Sequence, residues 1–170
     1  TGCTAVDQVT VTVGSASVDA GPDQTICLGT STTLNATGTG ATYQWSTGAT
    51  TQSITVNPTT TTTYSVTASD VNGCTAVDQM TVTVASVSVE AGVNQTICLG
   101  SSTTLNATGT GTFYQWNTGA TTQSITVSPA TTTTYSVTAS DANGCTAVDQ
   151  VTVTVGSASV DAGPDQTICL

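Results

Sequence analysis

The chain has 170 residues and carries no lysine, arginine or histidine against ten acids, giving a formal net charge of −10. With no cationic footprint it has no means of gripping a nucleic-acid backbone or an anionic membrane surface. Without His or Lys it also lacks the usual bases and amine nucleophiles of catalysis and the imidazole metal ligand.

Strand signals run the length of the chain. Val9-Thr10-Val11-Thr12-Val13 alternates β-branched apolar and polar residues, the pattern of a half-buried strand. Thr33-Leu34-Asn35-Ala36 alternates as well, and Tyr43-Gln44-Trp45 puts two aromatics on one strand face. Ser53-Ile54-Thr55-Val56 and Tyr64-Ser65-Val66-Thr67-Ala68 continue the scheme. Breakers separate these runs: Gly38-Thr39-Gly40, Thr47-Gly48, Asn57-Pro58 and Asp70-Val71-Asn72-Gly73. The last ends in the Asn-Gly step of tight hairpins. No helical periodicity appears. The expected fold is all-β: immunoglobulin-like antiparallel β-sandwiches of six or seven short strands. The apolar runs are too short to span a membrane.

The strand pattern repeats. Cys3, Cys74 and Cys145 are 71 residues apart, as are Cys27, Cys98 and Cys169. Residues 3–73 and 74–144 differ at 13 of 71 positions, and residues 145–170 match 3–28 throughout. The expected organisation is a strand from a preceding repeat over 1–14, one repeat over 15–85, a second over 86–156, and the first strand of a following repeat over 157–170. Such modules in series predict a semi-rigid rod cut from a longer tandem chain. The expected core is Val9, Val11, Val13, Ile26, Leu34, Tyr43, Trp45, Ile54, Val56, Tyr64 and Val66, with their counterparts one repeat on.

A core this small often needs a covalent staple. Each repeat has one cysteine ahead of its second strand (Cys27, Cys98) and one after the Asn-Gly turn (Cys74, Cys145). The preferred pairing is Cys27–Cys74 and Cys98–Cys145, each closing a loop whose entropy contributes roughly 4 kcal/mol. Pairing Cys74–Cys98 across the junction is the alternative, and spacing alone does not decide between them. Regularly repeated cysteines point to an oxidising, extracellular setting. Zinc is disfavoured by the absence of both His and a CxxC pair.

The succession AGPDQTICLGTSTTLNATG, YQWSTGATTQSITVNPTTTTTYSVTASDVNGC and TAVDQMTVTV resembles the PKD-like or immunoglobulin-like tandem repeats of large Bacteroidota surface proteins. These include gliding-motility adhesins exported by the type IX system. The resemblance implies a β-sandwich, a cell-surface location and an adhesive or stalk-like role. Ser46-Thr47-Gly48 replaces the acidic turn common in PKD modules.

No catalytic constellation is visible, so a non-enzymatic chain is expected. Calcium is the one candidate cofactor. Asp70 and Asn72, and Asp141 and Asn143, place oxygen-bearing side chains in one loop, and hard cations take oxygen ligands. The same Asp-x-Asn-Gly residues also make a hairpin turn. Trp45 and Trp116, each on one strand face with a tyrosine, are expected to be core aromatics rather than sugar-stacking platforms. Asn35, Asn94 and Asn106 fit the Asn-glycosylation pattern, and the run Thr59 to Thr63 is a candidate glycan or ligand patch or an exposed connection.

The expected function is a structural repeat segment of a giant cell-surface adhesin or filament that extends an adhesive region from the cell. Two alternatives stay open: a spacer or carbohydrate-binding accessory of a secreted polysaccharide-degrading enzyme, and a subunit of a multi-chain extracellular filament. The expected partners are neighbouring repeats, surface polysaccharide or further copies of the chain, with no nucleic acid and no membrane insertion.

Overall fold

The computed structural model describes residues 1–158, 161 and 163–168, and every regular element among them is a β-strand. The chain divides into two compact units, Thr1–Ala85 and Ser86–Leu170. The first contains β1 (Val18–Asp19), β2 (Gln24–Cys27), β3 (Thr32–Asn35), β4 (Thr37–Gly38), β5 (Thr42–Trp45), β6 (Ser53–Val56), β7 (Thr62–Ser69) and β8 (Thr75–Ala85). The second repeats them as β9 (Val89–Glu90), β10 (Gln95–Cys98), β11 (Thr103–Asn106), β12 (Thr108–Gly109), β13 (Phe113–Trp116), β14 (Ser124–Val127), β15 (Thr133–Ser140) and β16 (Thr146–Gly156).

The β7–β8 hairpin organises the first unit. Its ladder runs from Ser69 opposite Thr75 to Thr62 opposite Val82, closed by the Asp70–Cys74 turn. Gly73 takes φ +83° there, a left-handed conformation that glycine adopts without steric cost. On one side β5 adds antiparallel to β7. On the other, β2 adds parallel to β8, with Cys27 opposite Ala85, so the sandwich is not wholly antiparallel as the strand pattern suggested. The resulting order is β2-β8-β7-β5. A β3–β6 pair and a short β1–β4 pair complete the unit. The pairing of β5, β7 and β8 in one sheet and of β3 with β6 in the other is that of the C-F-G and B-E strands of immunoglobulin domains. Each unit is therefore an immunoglobulin-like β-sandwich.

The core lies between the two sheets. Trp45, Tyr64, Val66, Met80 and Val82 come from the four-stranded sheet, Leu34, Ile54 and Val56 from the β3–β6 pair, and Ala20 and Ala36 from just beyond strand ends. Alternation along each strand sends threonine, serine and glutamine outward. The second unit has the same cluster around Trp116, with Val151 in place of Met80. No polar or charged residue is buried among the described residues. Ile26 and Tyr43, expected in the core, are only half-buried and pack at its margin.

Close backbone approach explains one glycine in each unit. A Cβ on Gly38 would stand 2.1 Å from the Ser17 carbonyl oxygen, and at Gly109 the same distance separates it from that of Ser88. The β1–β4 and β9–β12 pairs therefore admit no side chain at these two positions.

The expected strand over residues 1–14 does not form. Val9, Val11 and Val13 are 90%, 81% and 89% exposed and belong to no core. The residues 4–14 read TAVDQVTVTVG, identical to 146–156, which are β16. The difference is partners: β16 lies between β15 and β10, whereas no strand flanks residues 4–14. Strand-forming residues need a neighbour to satisfy their backbone groups and cover their apolar face. Residues 157–170 likewise repeat 15–28, yet those of them that are described form no strand. Cys169 lies outside the described residues.

Candidate functional site: the Asp-Asn-Gly-Cys turn and the strand-end cysteines

In the β7–β8 turn, Asp70 acts as the organising residue. Its Oδ1 accepts hydrogen bonds from the backbone N–H of Asn72 at 2.9 Å and of Cys74 at 2.8 Å. Its own N–H donates to the Cys74 carbonyl at 2.9 Å, and its carbonyl accepts from Gly73 N–H at 3.2 Å. Asp141 repeats the pattern with Asn143 and Cys145, both at 2.9 Å. The Cys74 N–H, and after it those from Asn72, hold the Asp70 carboxyl below its ordinary value. At Asp141 burial pushes the carboxyl up, but hydrogen bonds from Cys145 and Asn143 outweigh it and the net shift is downward. In both turns one carboxylate oxygen, Oδ1, accepts two backbone amides. Among the described residues no group of three or more cysteines and acids is placed to hold a metal ion.

Two other acids, Asp78 and Asp149, are strand ties. Asp78 Oδ2 accepts the N–H of Ala20 at 2.8 Å, and Asp149 Oδ2 that of Ala91 at 2.7 Å. These bonds join the long strand of one sheet to the segment after the first strand, and they lower both carboxyls. The Asp23-to-Asn94 change between copies has a plain physical reading. Asp23 Oδ1 accepts Thr81 N–H at 2.7 Å, and Asn94 Oδ1 accepts Thr152 N–H at 2.8 Å. An amide oxygen serves this role as well as a carboxylate does.

The tryptophans are interior. Trp45 and Trp116 are 2% and 1% exposed, and their indole N–H groups donate to the carbonyls of Thr51 and Thr122 at 3.0 Å. Buried this way, neither ring offers a face to a sugar. The threonine run is a connection into β7: Thr61 Oγ1 accepts Val84 N–H at 3.1 Å, and Thr63 Oγ1 lies 3.2 Å from Thr81 Oγ1 across the hairpin. Asn35, in the glycosylation pattern, is exposed and accepts from Ser53 at 2.5 Å.

The cysteines require a correction. Cys27 ends β2 opposite Ala85, the last residue of β8, while Cys74 precedes Thr75, the first. The two therefore sit at opposite ends of an eleven-residue strand. At about 3.3 Å per residue that is some 30 Å, whereas a disulfide needs Cα atoms within about 7 Å. The pairing Cys27–Cys74 is excluded, and so is Cys98–Cys145, since Cys98 lies opposite Gly156 at the far end of β16 from Thr146. Cys74–Cys98 also fails: Cys3, Cys74 and Cys98 are free thiols, while Cys27 and Cys145 are disulfide-bonded. No cysteine stands in the core cluster around Trp45. In antibody domains the equivalent tryptophan packs against an inter-sheet disulfide.

Gly14 escaped the sequence reading. A Cβ there would meet Asp70 Oδ2 at 2.7 Å, Cys74 Sγ at 2.9 Å and Asn72 Nδ2 at 3.1 Å. The segment before the sandwich thus ends against the Asp70–Cys74 turn. The one signal of this in the sequence was the restriction to Gly or Ala at positions 14, 85 and 156.

No protein-family model matches the chain, and no curated protein matches it in sequence. Solved structures do resemble it. The IG1+IG2 segment of DIP-gamma is 11% identical, matched over 84% of this chain and 95% of that one, with a TM-score of 0.44. The insect immune protein hemolin is 14% identical over 81% of this chain and 46% of its own, with a TM-score of 0.46. Three N-terminal domains of the highly immunogenic outer capsid protein of bacteriophage RB49 are 18% identical over 83% and 58%, at 0.37. At these values the likeness goes no further than fold, and the sandwich assignment rests on the strand pairing itself.

Proposed function

We propose that the chain is a non-enzymatic structural segment of an extracellular surface adhesin or filament, in which sandwich modules in series hold an adhesive region away from the cell. One observation carries this reading: the two copies repeat the internal ties that hold the sandwich together. Trp45–Thr51, Asp78–Ala20 and the Asp70–Cys74 turn recur as Trp116–Thr122, Asp149–Ala91 and the Asp141–Cys145 turn. A shallow hollow on the outer sheet face recurs as well: Tyr43, Gln44, Thr50, Thr67 and Ser69 line it in one unit and Tyr114, Gln115, Thr121, Thr138 and Ser140 in the other, and only Ala41 and Thr42 give way to Thr112 and Phe113. Disulfide-bonded Cys27 and Cys145 fit an oxidising compartment. The resemblance to PKD-like repeats of Bacteroidota surface proteins supports the adhesin version.

The test replaces these modules, within the surface protein that bears them, by an unrelated spacer of equal contour length. Adhesion to the native substratum is expected to persist. Its loss with a length-matched spacer would assign the binding to the modules themselves.

A further inference from the structure

We propose that the outer face of the four-stranded sheet in the second unit is a binding site for a neutral pyranose glycan, with Phe113 as the ring on which one sugar stacks. The site goes beyond the scaffold role and adds a lateral contact to it.

Strand register builds this face. Alternation turns Trp116, Val137, Ala139 and Val151 into the core, and so turns their chain neighbours outward. Phe113 stands opposite Ser140, and Ser140 opposite Thr146. In the next outward row Gln115 stands opposite Thr138, and Thr138 opposite Val148. Adjacent strands lie about 4.8 Å apart, so the two rows make a patch some 10 Å wide across three strands. Phe113, Gln115, Thr138, Ser140 and Thr146, with Thr121 from the β13–β14 connection, line a shallow hollow there.

The lining selects the ligand in three ways. Phe113 is the only phenylalanine of the chain and is 62% exposed, whereas Trp116 is buried. An exposed flat ring takes the C–H face of a pyranose. Hydrogen-bonding capacity is the second. Among the described residues, the side chains of Gln115, Thr121, Thr138, Ser140 and Thr146 make no hydrogen bond. Elsewhere outward hydroxyls satisfy one another across a ladder, as Thr134 and Thr152 do at 3.1 Å and Thr104 and Thr126 at 3.3 Å. Thr138 faces Val148 and has no such partner. Hydroxyls and one amide offer both donors and acceptors, which sugar hydroxyls require. Charge is the third. No charged side chain lines the hollow, and the chain has a net charge of −10 with no cation. A phosphate or an acidic glycan meets repulsion here and no counter-charge. A protein partner needs an apolar centre that it can dehydrate. On this face the exposed large apolar side chains are Phe113 and Val148, surrounded by hydroxyls.

The first unit is a built-in control. Thr42, Ser69 and Thr75 form one row of its outer face, and Gln44, Thr67 and Val77 the next. Thr42 in the place of Phe113 is the one exchange between the two sets. The first unit therefore keeps the hydrogen-bonding groups without the ring, and it shows that the sandwich forms with threonine at this position.

The test is a nuclear magnetic resonance titration of the isotope-labelled 170-residue chain with cellohexaose, with mannohexaose and with the acidic hexagalacturonate. At least one of the two neutral sugars is expected to shift the amides of Phe113, Gln115, Thr138 and Ser140. Phe113→Thr should weaken that binding about tenfold, the loss of one stacked ring. Thr42→Phe should bring the amides of Gln44 and Thr67 to a comparable affinity. No response to either neutral sugar at millimolar concentration would overturn the proposal. So would binding undiminished in Phe113→Thr, no gain from Thr42→Phe, or equal binding of hexagalacturonate. Shifts of the same amides on concentrating the chain without sugar, lost in Phe113→Thr, would assign the face to a second copy of the chain and overturn the glycan.

Discussion

Asp78 and Asp149 show how a single carboxylate is used in this protein. Each accepts a backbone N–H from the segment after the first strand of its unit, and each is held below its ordinary value by that bond. The direction fixes the pH dependence. A carboxyl lowered in the folded state contributes stability above its unfolded value, near 3.8, and loses it as pH falls through the lower folded value. Melting temperature is therefore expected to be flat from pH 7 to 5 and to drop below about pH 4. Relief of repulsion among the ten acids works in the opposite sense, so the melts belong in moderate salt, which screens it. Asp78→Asn with Asp149→Asn keeps an oxygen acceptor, as Asn94 already does in the place of Asp23. This variant should fold at pH 7 and show a shallower acid-side drop, whereas Asp78→Ala should melt lower at every pH above 4. An Asn variant with an undiminished acid-side drop would remove these two groups from the account.

At the scale of the element, one sequence takes two states. TAVDQVTVTVG is a strand at 146–156 and is not one at 4–14. Hydrogen exchange should separate the copies residue by residue. The amides of Val151 and Val153, in the centre of a four-stranded sheet, should open only with the whole unit. Those of Val9 and Val11 should exchange with an opening free energy near zero. Equal protection of both copies would show that propensity alone makes this strand. How much of the fold was legible follows from the same comparison. Alternation located β3, β6 and β7 and the aromatic strand β5, because inward and outward positions differ in polarity along one strand. It did not reveal that β2 runs parallel to β8, because a four-residue strand reads the same in either direction. That direction put Cys27 opposite Ala85, and so the in-module disulfide reading failed with it.

For the whole molecule, each unit has its own core cluster around one tryptophan. Trp45→Ala removes the largest buried side chain of the first unit and should cost about 3–5 kcal/mol, enough to unfold a module of this size. Trp116 fluorescence then reports whether the second unit stays folded, and a native-like spectrum with the amplitude of one folded unit is expected. Loss of both signals would mean that neither sandwich stands without the other.

Composition, the 71-residue repeat and the alternation of β-branched with polar residues determined by themselves that the chain is all-β, modular and without lysine, arginine or histidine. These are properties of residue type and period, which a linear string carries in full. Only the tertiary structure decided that Asp70 and Asp78 are ties, that residues 1–14 stay unpaired, and that the cysteines of one module stand at opposite ends of its longest strand. These facts depend on which strands lie side by side and in which direction, and side-by-side placement is set by packing between residues far apart in sequence.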